Sequence, residues 1–267
     1  MIVTRRMARR RADVVDAAGA LYLAGVRGHA PLDAVVAKFL RDRRALGLDD
    51  DDRGFIVDAA QGMWRARSRL ERAATALPFE PTRGALVSLY LVGAGVDVRT
   101  LPIDPRAEAE LRAAWASTDA APLDVRSGVP PWLIERLRAQ RTGDDVEALC
   151  TSFARAPPQS LRANTLKATR DDVIRALAGE GIDAVAGSIA RDAIVVVERA
   201  NVFKTSAIRY GLFEQQDEGS QLVAALCGVA AGMCVIDYCA GAGGKTLALA
   251  ALMEGKGEVH AFDVAAH

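Results

Sequence analysis

The sequence has few of the residues that build disulfide frameworks, zinc sites and membrane spans. Its four cysteines are irregularly spaced, which argues against a disulfide framework in a chain of 267 residues, and its three histidines offer no zinc-ligand spacing. The longest apolar run, from Leu222 to Ile236, is shorter than the roughly 20 residues that cross a bilayer. These absences predict reduced thiols in a cytoplasmic protein, with no metal and no membrane partner.

Neither sign of charge is in excess, since 34 Lys and Arg balance 34 Asp and Glu. The distribution is uneven, however: residues 1–75 hold 15 basic and 10 acidic side chains, whereas residues 206–267 hold 3 and 7. The basic end is therefore the better candidate for contact with a polyanion. Arg65, Arg67 and Arg69 cluster there beside Trp64, and both a solvated helical face and a contact with RNA phosphates remain open for them.

Apolar side chains recur at helical spacing through the first half of the chain, for example at Val14, Ala18 and Leu21. The carboxylates of residues 49–52 precede a second such series that begins at Phe55. Because the N-terminal end of a helix dipole favours negative charge, this acidic run predicts a helix start rather than a metal site.

The pattern changes after the proline pair at residues 157–158. A strand-like segment is followed by a helix whose start, Thr169 with Asp172 three residues later, resembles a capping box. A β-branched segment from Ala193 to Glu198 then predicts another strand. The sequence therefore predicts a small α+β module after a helical first half.

A glycine-rich stretch, DYCAGAGGKT, occupies residues 237–246. It follows a strand-like segment at residues 234–236 and precedes a predicted helix from about Gly244 to Met253 and a strand from Glu258 to Phe262. This order predicts the opening of a parallel βαβ unit.

Several interpretations compete for this loop. An ATP-binding P-loop would need a glycine at Cys239, so that interpretation fails. A dinucleotide loop matches Gly241 and Gly243 but has Thr246 in place of its third glycine, which weakens it without excluding it. An S-adenosylmethionine loop of class I methyltransferases matches both glycines and expects an acid after the next strand, where Asp263 stands. Structural glycines in an ordinary turn are the alternative without a ligand.

The stretches GLFEQQDEGSQLVAAL and CVIDYCAGAGGKTLALAALMEGKGEVHAFDV resemble the cofactor-binding region of the RsmB/Nop/Sun family of RNA (cytosine-5) methyltransferases, whose usual loop reads D-x-C-A-A-P-G-G-K-T. LRANTLK and the following helix resemble the segment just upstream in that family. AVVAKFLRDRRALG and DRGFIVDAAQGMWRARSRLE are similar to the NusB-like RNA-binding domain of its bacterial ribosomal RNA members.

The resemblance implies three parts: an all-helical NusB-like domain at 1–154, a small α+β module at 155–210, and the start of a Rossmann-like class I methyltransferase domain at 211–267. It also implies S-adenosylmethionine as cofactor and RNA, in particular ribosomal RNA, as partner. The implied cofactor contacts are Cys239, Ala240, Gly241, Ala242, Gly243, Gly244, Lys245 and Asp263. Gly241 and Ala242 depart from the family's alanine and proline, which predicts a more flexible loop.

The family's chemistry uses one cysteine as a nucleophile on cytosine carbon 6 and a second for elimination, in Pro-Cys and Thr-Cys motifs. None of the four cysteines here stands in such a motif, so no catalytic residue is predicted, and Cys150, Cys227 and Cys234 are expected to be buried small hydrophobes. The chain is expected to be truncated and inactive alone, with weak cofactor binding. The alternative is a non-catalytic RNA-binding remnant of such an enzyme.

Overall fold

The proline pair marks a boundary in the fold. A computed structural model describes residues 11–43, 47–102, 104 and 107–264. Between Ala156 and Pro157 the chain divides into two units, a helical one and one that contains both helices and sheets. The fold is therefore a mixed helix and sheet fold.

The first unit consists of helices, as the apolar spacing predicts. They are α1 (Ala12–Arg27), α2 (Leu32–Asp42), α3 (Asp50–Arg65), α4 (Arg67–Ala74), α5 (Arg83–Gly93), α6 (Ala107–Ala116), α7 (Leu123–Ser127), α8 (Pro131–Arg138) and α9 (Gly143–Phe153). Val14, Ala18 and Leu21 of α1 are fully buried, and α1 packs against α3 and α5. Burial of one apolar stripe per helix supplies the main stabilisation of this unit.

The acidic run before Phe55 starts a helix, as predicted. Asp49 is the N-cap residue of α3, and its Oδ1 accepts a hydrogen bond of 2.7 Å from the backbone N–H of Asp52. At the other end of α3, Gly62 faces Tyr90 of α5 so closely that a Cβ at residue 62 would lie 1.9 Å from the tyrosine hydroxyl oxygen. The glycine therefore sets the distance between the two helices.

The second unit begins with an antiparallel sheet. Its strands are β1 (Gln159–Ala163), β2 (Ala184–Ala186), β3 (Ala193–Val196) and β4 (Phe213–Gln215), in the spatial order β2-β3-β1-β4. The capping box is confirmed at the start of α10 (Arg170–Gly179), where Thr169 and Asp172 exchange hydrogen bonds between side chain and backbone. Leu161, Leu177 and Phe213 are fully buried in the core of this layer.

A parallel strand pair follows in the same unit. After α11 (Ser206–Arg209) and α12 (Glu218–Leu226), strand β5 (Cys234–Asp237) leads through the glycine-rich loop into α13 (Gly244–Leu252), and β6 (Glu258–Ala261) returns beside β5. The predicted βαβ order is therefore confirmed, with the last strand ending at Ala261 instead of Phe262. Ala224, Ala248 and Leu249 form a small core with Val235.

The expected burial of the cysteines is correct for Cys150 and wrong for two others. Cys227 and Cys234 are both exposed. Cys227 follows the last residue of α12, where the helix leaves its packed face. Cys234 lies on β5 opposite the packed Val235, because successive side chains of a strand point to opposite faces.

The predicted boundary at residue 210 precedes β4, which pairs with β1 of the four-stranded sheet. The sheet of the second unit therefore draws a strand from beyond that boundary. The division at 1–154, 155–210 and 211–267 stays a prediction.

Candidate functional site

The glycine-rich loop makes a sharp turn from strand to helix. Two of its residues have backbone angles in the left-handed region, Gly241 with a φ of 53° and Gly243 with a φ of 83°. Gly243 is also the N-cap residue of α13. A side chain at either position would be strained, so the loop depends on glycine for its course.

Hydrogen bonds tie this loop to the end of β6. The backbone N–H of Ala240 donates to the carbonyl of Phe262 at 2.9 Å, and the N–H of Phe262 donates to the carbonyl of Asp237 at 2.8 Å. The N–H of Gly241 donates to Oδ2 of Asp263 at 2.7 Å. Loop and acid, which the sequence separates by about 20 residues, therefore meet at the carboxyl ends of two parallel strands.

The side chains of the loop fall into two groups. Cys239, Ala242 and Lys245 are exposed, whereas Ala240 is half-buried. Thr246 is also half-buried, and its hydroxyl donates to Oδ2 of Asp237 at 2.7 Å, which links the first turn of α13 to the end of β5. Thr246 stands where a dinucleotide loop would have its third glycine, and its side chain fills that space.

A buried polar pair lies behind the loop, and sequence analysis did not single it out. Arg162 of β1 is 5% exposed, and Gln216, just after β4, is 7% exposed. Nε of Arg162 donates to Oε1 of Gln216 at 2.7 Å. Burial lowers the pKa of Arg162, and the charges of Glu214 and Asp192 partly offset that effect. A charged side chain in a strand of otherwise buried residues was the only available signal.

The three arginines predicted to contact RNA differ in their surroundings. Arg67 is exposed and its Nε donates to Oε1 of Glu71 one turn later at 2.7 Å. Arg69 is only 22% exposed, its Nε donates to the hydroxyl of Thr118 at 2.8 Å, and its guanidinium pairs with Asp119. Arg65 is half-buried. Arg69 therefore holds α4 against the end of α6, and RNA contact stays a prediction for all three.

Within the described residues, one group of side chains could hold a metal ion. Cys234, Glu258 and His260 have ligand atoms within 4.8 Å of one another on the exposed face of β5 and β6. That the protein binds no metal therefore stays a prediction. In the described part of the chain, no helix is both long and apolar enough to span a bilayer.

Comparison with known proteins finds similar methyltransferases. The ferredoxin-like domain of RsmF/B-like methyltransferases matches residues 129–203. The ribosomal RNA small subunit methyltransferase B of Pseudomonas putida is 31% identical over an alignment of 249 residues, and the match covers 82% of this chain and 57% of that protein. A probable ribosomal RNA small subunit methyltransferase B of Bacillus subtilis is 33% identical over 145 residues, or 54% of this chain and 32% of that protein.

These matches support the RsmB/Sun family of methyltransferases as the family of this chain. The matched part of the chain spans 57% of the Pseudomonas protein and 32% of the Bacillus protein. The crystal structure of PH0851 shares the fold, with a TM-score of 0.67 at 21% identity, and the match covers 97% of this chain and 65% of that one.

Proposed function

We propose that the chain is part of an enzyme that transfers a methyl group from S-adenosylmethionine to carbon 5 of cytosine in RNA, in particular ribosomal RNA. One observation carries the proposal: the loop from Cys239 to Lys245 is tied through Gly241 to Asp263. Family membership and the names of the relatives support RNA as the substrate.

The loop fits the cofactor that the family uses. A Cβ built on Gly241 or Gly243 would meet no atom within 4 Å, so both glycines border open space. Backbone N–H groups at the start of α13 are available to a ligand, because the first turn of a helix has no internal acceptors for them. When bound, S-adenosylmethionine supplies an electrophilic methyl group. Residues 239–245 would hold the cofactor, and Asp263 would accept hydrogen bonds from the ribose hydroxyls.

Cofactor identity can be tested by calorimetry. The chain is titrated separately with S-adenosylhomocysteine, NAD and ATP. We expect S-adenosylhomocysteine to bind, weakly, and the other two not to bind, because Thr246 and Cys239 replace glycines that those ligands need. Binding of NAD or ATP without S-adenosylhomocysteine would refute the assignment.

The helical unit is proposed to be a NusB-like RNA-binding domain, and the βαβ unit the start of a Rossmann-like domain, in a cytoplasmic protein. The basic excess of residues 1–75 supports the RNA contact. Charge reversal of Arg65, Arg67 and Arg69 together should flatten the dependence of RNA affinity on salt, since each phosphate contact releases counterions. An unchanged slope would leave these arginines as a solvated and structural set.

A non-catalytic RNA-binding role is the second candidate, because none of the four cysteines stands in a Pro-Cys or Thr-Cys motif. We expect this chain to transfer no methyl group, since no thiolate is placed to attack cytosine. The assay uses unmodified ribosomal RNA, labelled S-adenosylmethionine, the chain and any longer product of its gene. Label on cytidine with this chain would overturn the expectation, and label with neither protein would favour the second candidate.

A further inference from the structure

The orientation of the Gln216 amide is fixed by its neighbours. A guanidinium has only donors, so the oxygen that faces Nε of Arg162 at 2.7 Å must be the carbonyl oxygen of the amide. The main chain of Gln216 is held as well: its N–H donates to the carbonyl of Ser160 at 3.2 Å, and its carbonyl accepts from Nε2 of Gln221 at 3.0 Å. The amide nitrogen therefore has one defined direction.

That nitrogen is a buried donor without an acceptor among the described residues. Gln216 is only 7% exposed. Its Nε2 lies 3.7 Å from the position that a Cβ on Gly244 would take, so it points at the first residue of α13. An unsatisfied buried donor is costly and is rare in native proteins, where a ligand or a bound water usually accounts for it.

The groups around Gly244 are hydrogen-bond donors of partial positive charge. The first turn of α13 presents backbone N–H groups and the positive end of the helix dipole, and Gln216 adds an amide N–H to them. Neighbouring donors without an acceptor favour an anionic group beside them. The other end of the loop is acidic, because Asp263 lies there and accepts from the N–H of Gly241. The carboxylate of Asp237 accepts from the hydroxyl of Thr246. The site therefore has a donor end for an anion and an acceptor end for hydroxyl groups.

We infer that Gln216 binds the carboxylate at the amino-acid end of the cofactor, together with the first turn of α13, and that Arg162 is a positioning residue that holds the amide in this orientation. The inference rests on the proposed function, since it names the subsite that the amino-acid part of S-adenosylmethionine would occupy. Arg162 and Gln216 belong to β1 and to the end of β4, so the antiparallel sheet would support the ligand site.

The test compares two probes on the 267-residue chain by calorimetry. S-adenosylhomocysteine carries the carboxylate, and 5′-methylthioadenosine has the same adenosine part without the amino-acid end. Gln216→Glu keeps an oxygen for Arg162 but replaces the donor by an acceptor. We expect it to weaken binding of S-adenosylhomocysteine by about 10-fold to 100-fold, the effect of one hydrogen bond to a charged group, and to leave 5′-methylthioadenosine unchanged.

Two further variants serve as controls. Gln215→Glu adds the same charge at the neighbouring, exposed glutamine and should change neither affinity. Gly244→Ala places a methyl group 3.7 Å from Nε2, in ordinary contact, and should also weaken S-adenosylhomocysteine selectively. This variant keeps the test valid if Gln216→Glu does not fold. The melting temperature of ligand-free Gln216→Glu should match or exceed that of the wild type, since the new carboxylate faces a guanidinium and helix N–H groups.

The outcomes separate the inference from the proposed function. If the wild-type chain binds neither probe, both the cofactor assignment and the inference fail. If the wild-type chain binds both probes, and the variants at Gln216 and Gly244 lower the affinity for both equally or for neither, only the inference fails. Selective loss of S-adenosylhomocysteine in both variants supports it.

Discussion

Removal of the Asp263 carboxylate tests whether the loop and the acid form one binding site. Its Oδ2 accepts from the N–H of Gly241 at 2.7 Å, a distance typical of hydrogen bonds to charged acceptors. Asp263→Ala removes this bond and any bond that the carboxylate would accept from ribose hydroxyls. Hydrogen bonds to a charged group contribute about 1.5 to 3 kcal/mol, so affinity for S-adenosylhomocysteine should fall by about 10-fold to 100-fold.

Asp263→Asn divides this effect into its parts. The asparagine keeps an oxygen for the N–H of Gly241 but lacks the charge, and a hydrogen bond between neutral groups contributes only about 0.5 to 1.5 kcal/mol. We therefore expect Asp263→Asn to weaken binding by about 1 kcal/mol, or roughly fivefold. Its affinity should lie between those of wild type and Asp263→Ala. Both are measured by calorimetry at high protein concentration.

Glu254→Gln is the matched control, because Glu254 is an exposed acid just after α13 that pairs with Lys256 at 3.2 Å. Its removal should leave the affinity within twofold of wild type, as expected for an exposed ion pair. Urea unfolding checks that all variants fold. An alanine variant that folds and binds S-adenosylhomocysteine as tightly as wild type would refute the role of Asp263 in the site.

Three other predictions concern stability. Arg69→Ala should lower the free energy of unfolding by about 1 to 2 kcal/mol, because the hydrogen bonds between α4 and the end of α6 are lost. Arg67→Ala loses only an exposed ion pair and should lower it by less than about 0.5 kcal/mol. Equal effects of the two variants in urea unfolding would contradict this prediction. Gly62→Ala should destabilise the protein by about 1 to 3 kcal/mol, because the new methyl group overlaps the tyrosine of α5. Gly54→Ala in the same helix should stabilise it by about 0.5 to 1 kcal/mol, because a Cβ there would meet no atom within 4 Å. An unchanged stability of Gly62→Ala would show that the two helices can separate. Asp172 has its pKa lowered from 3.8 mainly by the hydrogen bond from the capping threonine, so its contribution to stability is complete above 3.8 and is lost as the pH falls through the lower pKa of the folded state. The stability difference between wild type and Asp172→Asn should therefore shrink between pH 6 and pH 2, and a constant difference would contradict the assignment.

The sequence predicted the parts of the site that depend on local order. A strand, a glycine turn, a helix and a second strand in succession leave little choice but a parallel βαβ unit, and this brings Asp263 to Gly241. The capping box of α10 needed only Thr169 and Asp172, which are three residues apart. Such features can be predicted because they depend only on residues that are close together in the sequence.

The contacts that the sequence did not reveal join residues far apart in the chain. Arg162 and Gln216 are 54 residues apart, and Arg69 and Asp119 are 50 apart. Composition can indicate that an arginine is available, but only the packed fold determines whether its partner is a phosphate, an amide or an aspartate. The exposure of Cys234 has the same origin, because an apolar run does not specify which strand face will be covered.

The pairing of β1 with β4 has a consequence for how insertions and deletions are tolerated. Arg162 stands opposite Glu214, and Gln216 lies two residues further on the same side of the strand. Loss or gain of one residue within either strand would turn the guanidinium or the amide to the opposite face and separate them. The turn between β2 and β3 is tied to the same region, because the backbone N–H groups of Ile189 and Ala190 donate to Oε2 of Glu218 at 2.8 and 3.1 Å. Length changes within β1 or β4 should therefore not be tolerated, because the register of these two strands keeps Arg162 beside Gln216.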